Sequence, residues 1–169
     1  SGSLLEAIAT WCDDKLQPLA RAQNSYIKSS FELKELLCSM ELPPNAVLFT
    51  ADARAMYTNI PTQECLDSLD KYLLDNIVDF PHVCHDALIE GLRIVIMFSN
   101  IFTFSDTYWR QRNGAAMGAP PCPAWATMYF APYEDDACNV FSDQIQFYRR
   151  YIDDVFGIWL RQPGDEATW

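Results

Sequence analysis

Positive charge is scarce in this chain: 12 Lys and Arg stand against 23 Asp and Glu, a formal net charge of −11. Taken alone, that balance argues against a nucleic-acid partner, because phosphate binding normally uses a basic surface. No CxxC pair occurs among the six cysteines, Cys12, Cys38, Cys65, Cys84, Cys122 and Cys138. They read as buried small apolar groups of a reducing compartment rather than a disulfide frame. Both histidines fall in His82-Val83-Cys84-His85, which lacks a clear fourth zinc ligand and so reads as structural. Long hydrophobic runs are absent too. The longest charge-free stretch, Asn113 to Tyr133, contains Pro120, Pro121, Pro123 and Pro132, which excludes a membrane helix. Ser1-Gly2-Ser3 offers neither the basic region nor the apolar run of a signal peptide.

What is present is core material. Half of the 169 residues are hydrophobic, enough for one domain over 1–169 with a real core. The absent initiator Met and the stop at Trp169 read as a piece of a longer protein.

Ser3 with Glu6 makes a capping box for a first helix with Leu5, Ile8, Cys12, Leu16 and Leu19 on its apolar face. Pro18 is expected to end or bend it. Ser29 with Glu32 opens a second helix carrying Leu33, Leu36, Leu37 and Met40, stopped before Pro43-Pro44. Val47 to Ala53 reads as a mostly buried strand ending on Asp52. Thr62 is expected to cap a helix with Leu66, Leu69, Leu73 and Ile77 inward. Asp86 to Ser99 gives another, with Leu88, Leu92, Val95 and Ile96 on one face. A hairpin is expected from Ile101–Phe104 and Thr107–Gln111, turning on Ser105-Asp106. A Gly/Ala/Pro loop, Asn113 to Pro123, leads into a helix over Ala124 to Ala137, which Pro132 should kink. Gln146 to Ile152 and Val155 to Leu160 form a last hairpin. Helices and mostly antiparallel strands without a βαβα rhythm imply an α+β domain.

The chemistry-bearing residues gather in three segments. Asp153 and Asp154 lie between β-prone apolar runs, so their turn projects negative charge from a hairpin tip. They are either metal ligands or an ordinary polar turn, which Asp favours anyway. Asp52 is either a strand-terminal turn residue or a third carboxylate. Carboxylates from separate segments converging on two cations roughly 3.5–4 Å apart are what two-metal nucleotidyl transfer uses. The loop Asn113 to Pro120 is rich in small residues, which lets a ligand approach the backbone closely, or it is a plain connection.

Order and spacing decide between these readings. Leu48-Phe49-Thr50-Ala51-Asp52-Ala53-Arg54-Ala55-Met56-Tyr57-Thr58-Asn59-Ile60-Pro61 is followed by Gly114-Ala115-Ala116-Met117-Gly118-Ala119-Pro120-Pro121-Cys122-Pro123, then by Tyr151-Ile152-Asp153-Asp154-Val155-Phe156. This series resembles the A, B and C motifs of a reverse transcriptase palm. Tyr-Thr-Asn-Ile-Pro with Ala-Met-Gly in the loop resembles the Penelope-like retroelement polymerases, relatives of telomerase. The resemblance runs from about Ser25 through Trp159, and three motifs in order are far more specific than any one.

The resemblance implies a palm-type antiparallel sheet backed by helices, with a partial helical fingers region and no thumb. It implies an RNA-directed DNA polymerase core that extends a primer 3′-hydroxyl with deoxynucleotides, weak or inactive as this fragment. Two Mg²⁺ or Mn²⁺ ions would be held by Asp52, Asp153 and Asp154 with the Ala53 carbonyl. Tyr57 would be a steric gate against a 2′-hydroxyl, and Met117 and Gly118 would pack beneath the nucleotide and template base. Partners would be an RNA template, a DNA primer and deoxynucleoside triphosphates, with no membrane, and the setting nuclear. Arg110, Arg112, Arg149 and Arg150 are candidate nucleic-acid contacts or solvated strand ends. Basic fingers, a thumb and the endonuclease of such elements would lie elsewhere in the parent protein, which would account for the acidic balance. Two alternatives use the same residues: a non-catalytic palm-fold remnant or assembly module, and a metal-dependent nuclease or phosphohydrolase.

Overall fold

The computed structural model describes residues 5–98, 101–115 and 118–164. The chain folds as two compact units, each built from two stretches of sequence. The first comprises Ser1–Ala22 and Ala55–Tyr129; the second comprises Gln23–Arg54 and Phe130–Trp169.

The first unit is mainly helical. Helix α1 (Glu6–Arg21) buries Ala9, Cys12, Leu16, Leu19 and Ala20. It runs three residues past Pro18, which therefore does not end it. Ser3, expected to cap it, lies outside the described residues. A short helix α3 (Met56–Asn59) precedes α4 (Thr62–Asp75), which buries Leu66, Leu69 and Leu73. Ile77 falls beyond its end and is exposed rather than inward. Thr62 does not cap α4: Pro61 holds that position, and the Thr62 hydroxyl donates instead to the Gly114 carbonyl at 3.3 Å.

Helix α5 (His85–Leu92) passes into a π-helical turn over Arg93–Phe98, and the expected stripe of Leu88, Leu92, Val95 and Ile96 is buried. Gly91 is where α5 meets α1: a Cβ there would sit 2.8 Å from the Cys12 sulfur, so only glycine allows this approach. His85 is engaged by two carboxylates, Nε2 with Asp70 at 2.5 Å and Nδ1 with Asp86 at 3.3 Å. Strands β2 (Ile101–Phe104) and β3 (Thr107–Arg110) form the expected hairpin. Ser105 and Asp106 carry φ of 49° and 60°, the signature of a type I′ turn.

The second unit is a three-stranded antiparallel sheet of order β1-β5-β4, built from β1 (Ala46–Asp52), β4 (Ile145–Tyr151) and β5 (Asp154–Leu160). Central β5 buries Gly157 and Ile158, while β1 is half exposed rather than mostly buried, with Leu48, Thr50, Ala51 and Asp52 all exposed. Helix α2 (Ser30–Cys38) is capped as expected: the Ser29 hydroxyl accepts from the Glu32 N–H at 3.4 Å, and Glu32 accepts from the Lys28 N–H at 2.7 Å. It ends before Met40 and buries no residue fully. Helix α6 (Cys122–Val140) continues through Pro132; its residues to Tyr129 belong to the first unit and those from Phe130 to the second. Among the described residues no helix is long and apolar enough to cross a membrane.

The thiols separate by burial. Cys12, Cys65 and Cys122 are buried, whereas Cys38 and Cys84 are exposed. Burial pushes the Cys12 thiol up from 9.0 to about 11. An unfolded Cys12 would ionise first, so its contribution to stability is full below pH 9 and is lost as pH rises toward 11. At pH 8, Cys38 and Cys84 should react with a thiol reagent at once. Cys12, Cys65 and Cys122 should react only after denaturant is added, which mass spectrometry of the labelled peptides would check.

Candidate active site

Strand pairing places the key carboxylates. β1 and β5 run antiparallel with Asp52 directly opposite Asp154, so both side chains leave the same face of the sheet. Tyr151 on β4 is opposite Asp154 as well, and therefore shares that face. The expected hairpin is thus a little tighter than its sequence suggests. Only Ile152 and Asp153 form the turn, and Asp154 is already the first residue of β5.

The ends of the β1–β5 ladder are tied by further bonds. The Ala53 N–H donates to the Asp153 carbonyl at 2.9 Å. At the opposite end the Arg161 N–H donates to the Asn45 carbonyl at 3.0 Å, and Asn45 Nδ2 donates to the Arg161 carbonyl at 2.9 Å. Between them, the Phe49 ring lies over Gly157, where any Cβ would overlap it.

Ile152 has φ of 56°, while Asp153 is not in the positive-φ region. Positive φ at the first turn residue alone fits a type II′ turn, where glycine is usual. A β-branched residue there is strained by about 1–3 kcal/mol.

Asp52 and Asp154 open onto a cavity of about 730 Å³, whose wall also carries Ser29, Ser30, Arg149 and Phe156. That volume is in the range of ligand pockets. Asp52, Asp153 and Asp154 are all exposed. Arg149 is the cation on this wall; its guanidinium lies 4.9 Å from the Phe147 ring centre and donates to the Tyr148 carbonyl at 2.7 Å.

Arg150 departs from the expectation of a phosphate contact. Its side chain is only 3% exposed and is paired with Glu134 at 2.5 Å, so it presents no cation to solvent. Arg110 and Arg112, in the first unit, are exposed. Among the described residues no group of three or more His, Cys, Asp and Glu side chains is placed to hold a metal ion. The arrangement is instead a facing pair, Asp52 and Asp154, with Asp153 beside it in the turn. Mg²⁺ is commonly held by one or two carboxylates with water and substrate phosphate completing its shell, and a facing pair fits that demand.

Tyr57 and the glycine loop lie in the first unit. There the loop is fastened to the backbone around Tyr57: Ala115 N–H donates to the Tyr57 carbonyl at 2.8 Å, and Gly114 N–H to the Ile60 carbonyl at 3.1 Å. Gly114 has φ of 75°, and a Cβ would fall 2.6 Å from the Thr58 Cα and on the Tyr57 carbonyl oxygen. Gly118 has φ of 95°, with nothing within 4 Å of its missing Cβ among the described residues, so there the need for glycine is conformational. Met117 lies outside the described residues. Glu134 was not marked by its sequence context, Tyr133-Glu134-Asp135-Asp136, because an acidic run on a helix ordinarily faces water.

The fold, helices with antiparallel sheets, is similar to that of telomerase. Two solved structures of apo telomerase from Candida tropicalis are similar to it. One, truncated from its C-terminal domain, has a TM-score of 0.64 and 12% identity over 95% of this chain and 35% of that one. The other has a TM-score of 0.65 and 13% identity over 95% of this chain and 31% of that one. The chain therefore spans about a third of the length of these structures. No protein-family model and no curated protein matches it.

Gly114→Ala would meet both a left-handed backbone and an occupied space. It should destabilise the first unit by roughly 1–3 kcal/mol, read as a lower denaturant midpoint at unchanged slope.

Proposed function

We propose that this chain is the catalytic core of an RNA-directed DNA polymerase of the Penelope-like kind, extending a primer 3′-hydroxyl with deoxynucleotides on an RNA template. The observation that carries the reading is the facing pair of Asp52 and Asp154 at a nucleotide-sized cavity, with Asp153 in the adjoining turn. The ordered motif series and the telomerase-like fold support it.

In this reading Asp52, Asp153, Asp154 and the Ala53 carbonyl hold Mg²⁺ or Mn²⁺. Bound divalent ions supply the charge that favours an attacking 3′-oxygen and stabilises a leaving pyrophosphate. The protein's own task is placement: the sheet fixes Asp52 against Asp154, and the cavity wall orients the nucleotide. Arg149 supplies positive charge beside the carboxylates for a phosphate. Tyr57 excludes a 2′-hydroxyl, and Met117 and Gly118 support the nucleotide and template base. Arg110 and Arg112 contact the nucleic-acid backbone. Fingers, thumb and any endonuclease belong to a longer parent protein that works in the nucleus.

One observation favours a non-catalytic palm module instead, namely that no three acidic, His or Cys side chains converge among the described residues. Primer extension on an RNA template by the longer parent protein, with the regions flanking this chain present, separates the two. Asp52→Asn should lower Mn²⁺-supported extension by a factor on the order of 10³ without changing the melting temperature. Equal extension by both proteins, or none by either, would sink the polymerase reading. Tyr57→Ala should relax discrimination against ribonucleotides by roughly 10–100-fold, measured as the ratio of kcat/KM for the two sugars.

A further inference from the structure

Behind the turn that carries Asp153, on the sheet face opposite Asp52 and Asp154, lies a polar cluster with no assigned role. Arg150 alternates with Arg149 and Tyr151 along β4, so its side chain leaves the face opposite the carboxylates. There it meets the part of α6 that begins at Phe130. Arg150 Nε donates to Glu134 Oε1 at 2.5 Å and Nη2 to Glu134 Oε2 at 3.1 Å, a bidentate pair. Its Cζ lies 5.5 Å from the Phe130 ring centre. Glu134 also accepts from the Tyr148 hydroxyl at 3.0 Å and from the Ser25 hydroxyl at 2.5 Å. Both side chains are nearly buried, at 3% and 10% exposure.

Nη1 lies outside that bidentate pair. Arg150 Nη1 donates to the Ile152 carbonyl at 2.8 Å. Ile152 is the turn residue with φ of 56°, and a strained conformation persists only where its surroundings over-determine it. The main chain of Arg150 is fixed as well. Its N–H donates to the Ser25 carbonyl at 2.7 Å, and its carbonyl accepts from the Ile27 N–H at 3.2 Å. Arg150 is therefore held at backbone and side chain, and its Nη1 grips the carbonyl of the peptide that joins Ile152 to Asp153.

We propose that Glu134 and Arg150 are positioning residues: a buried brace that fixes the Ile152-Asp153 turn and so sets Asp153 and Asp154 against Asp52. This deepens the polymerase reading and rests on it. Stability alone does not explain the pair, since an apolar pair of similar volume commonly serves a fold as well or better. What the ion pair adds is direction. A carboxylate gripping two edges of a planar guanidinium leaves its remaining N–H groups in fixed orientations, which a lysine ammonium cannot reproduce.

The experiment compares the intact protein with Arg150→Lys and with the double variant Glu134→Leu/Arg150→Met, which keeps the interior filled should the single change fail to fold. Amide exchange reads the turn directly, because the Ala53 N–H is bonded to the Asp153 carbonyl. The expected result is at least about tenfold faster exchange at Ala53, with the middle of β5 unchanged. In primer extension, kcat should fall on the order of 100-fold while KM for the nucleotide changes little, as expected of misplaced reacting groups. Unchanged exchange overturns the brace, and so does faster exchange with unaltered kcat. Asp52→Asn in the same assay judges the polymerase reading separately. If Asp52→Asn extends primers as well as the parent protein, that reading fails while the exchange data still decide whether the brace holds the turn.

Discussion

The pairing of β1 with β5 is the constraint on which the candidate site depends. Asp52 and Asp154 are 102 positions apart in sequence, and only this register sets them opposite each other. Side chains alternate faces along a strand, so a slip of one residue would send one carboxylate to the wrong side of the sheet. Gly157 guards against that slip. The Phe49 ring occupies the space a side chain would need there, and a shift of one would drive it against Phe156 or Ile158. The reciprocal Asn45–Arg161 bonds at one end and the Ala53–Asp153 bond at the other close the ladder at both limits. An unremarkable glycine in the middle of a strand thus contributes as much to the site as its acids do.

Local patterns of this kind were only partly legible beforehand. Leucine spacing gave the buried faces of α1 and α4, Ser29 with Glu32 gave the start of α2, and Ser105-Asp106 gave a hairpin turn, because each is decided within a few residues. The α+β class and the telomerase-like fold were legible as well, through composition rhythm and the three ordered motifs. Where distant partners decide, sequence fell short. Thr62 has the right chemistry for a cap, yet a carbonyl 52 residues away takes its hydroxyl. β1 is apolar enough for a covered strand, yet Leu48, Thr50, Ala51 and Asp52 are exposed. Pro18 does not end α1, which runs on to Arg21.

The same distinction runs through the charges. A net charge of −11 describes the whole chain, but the neighbourhood of a site is set by a handful of groups. Two adjacent arginines, Arg149 and Arg150, are equivalent in sequence and opposite in circumstance. One lines the cavity beside the carboxylates, and the other is enclosed with Glu134 on the far face. Alternation along β4 makes that division, and it separates a cation available to a ligand from one that serves the fold.

The β2–β3 hairpin stands at the other extreme of support. Every one of its strand residues is exposed, including Phe102, Phe104, Tyr108 and Trp109, and β2 and β3 pair only with each other among the described strands. A lone two-stranded ribbon is marginal in water, so its opening lies near the inexpensive end of the molecule's local unfolding. Limited proteolysis would nick here first and leave the sheet bearing Asp52 and Asp154 in one piece. A surface that covered the hairpin would in turn order it, making that segment the most responsive to its surroundings.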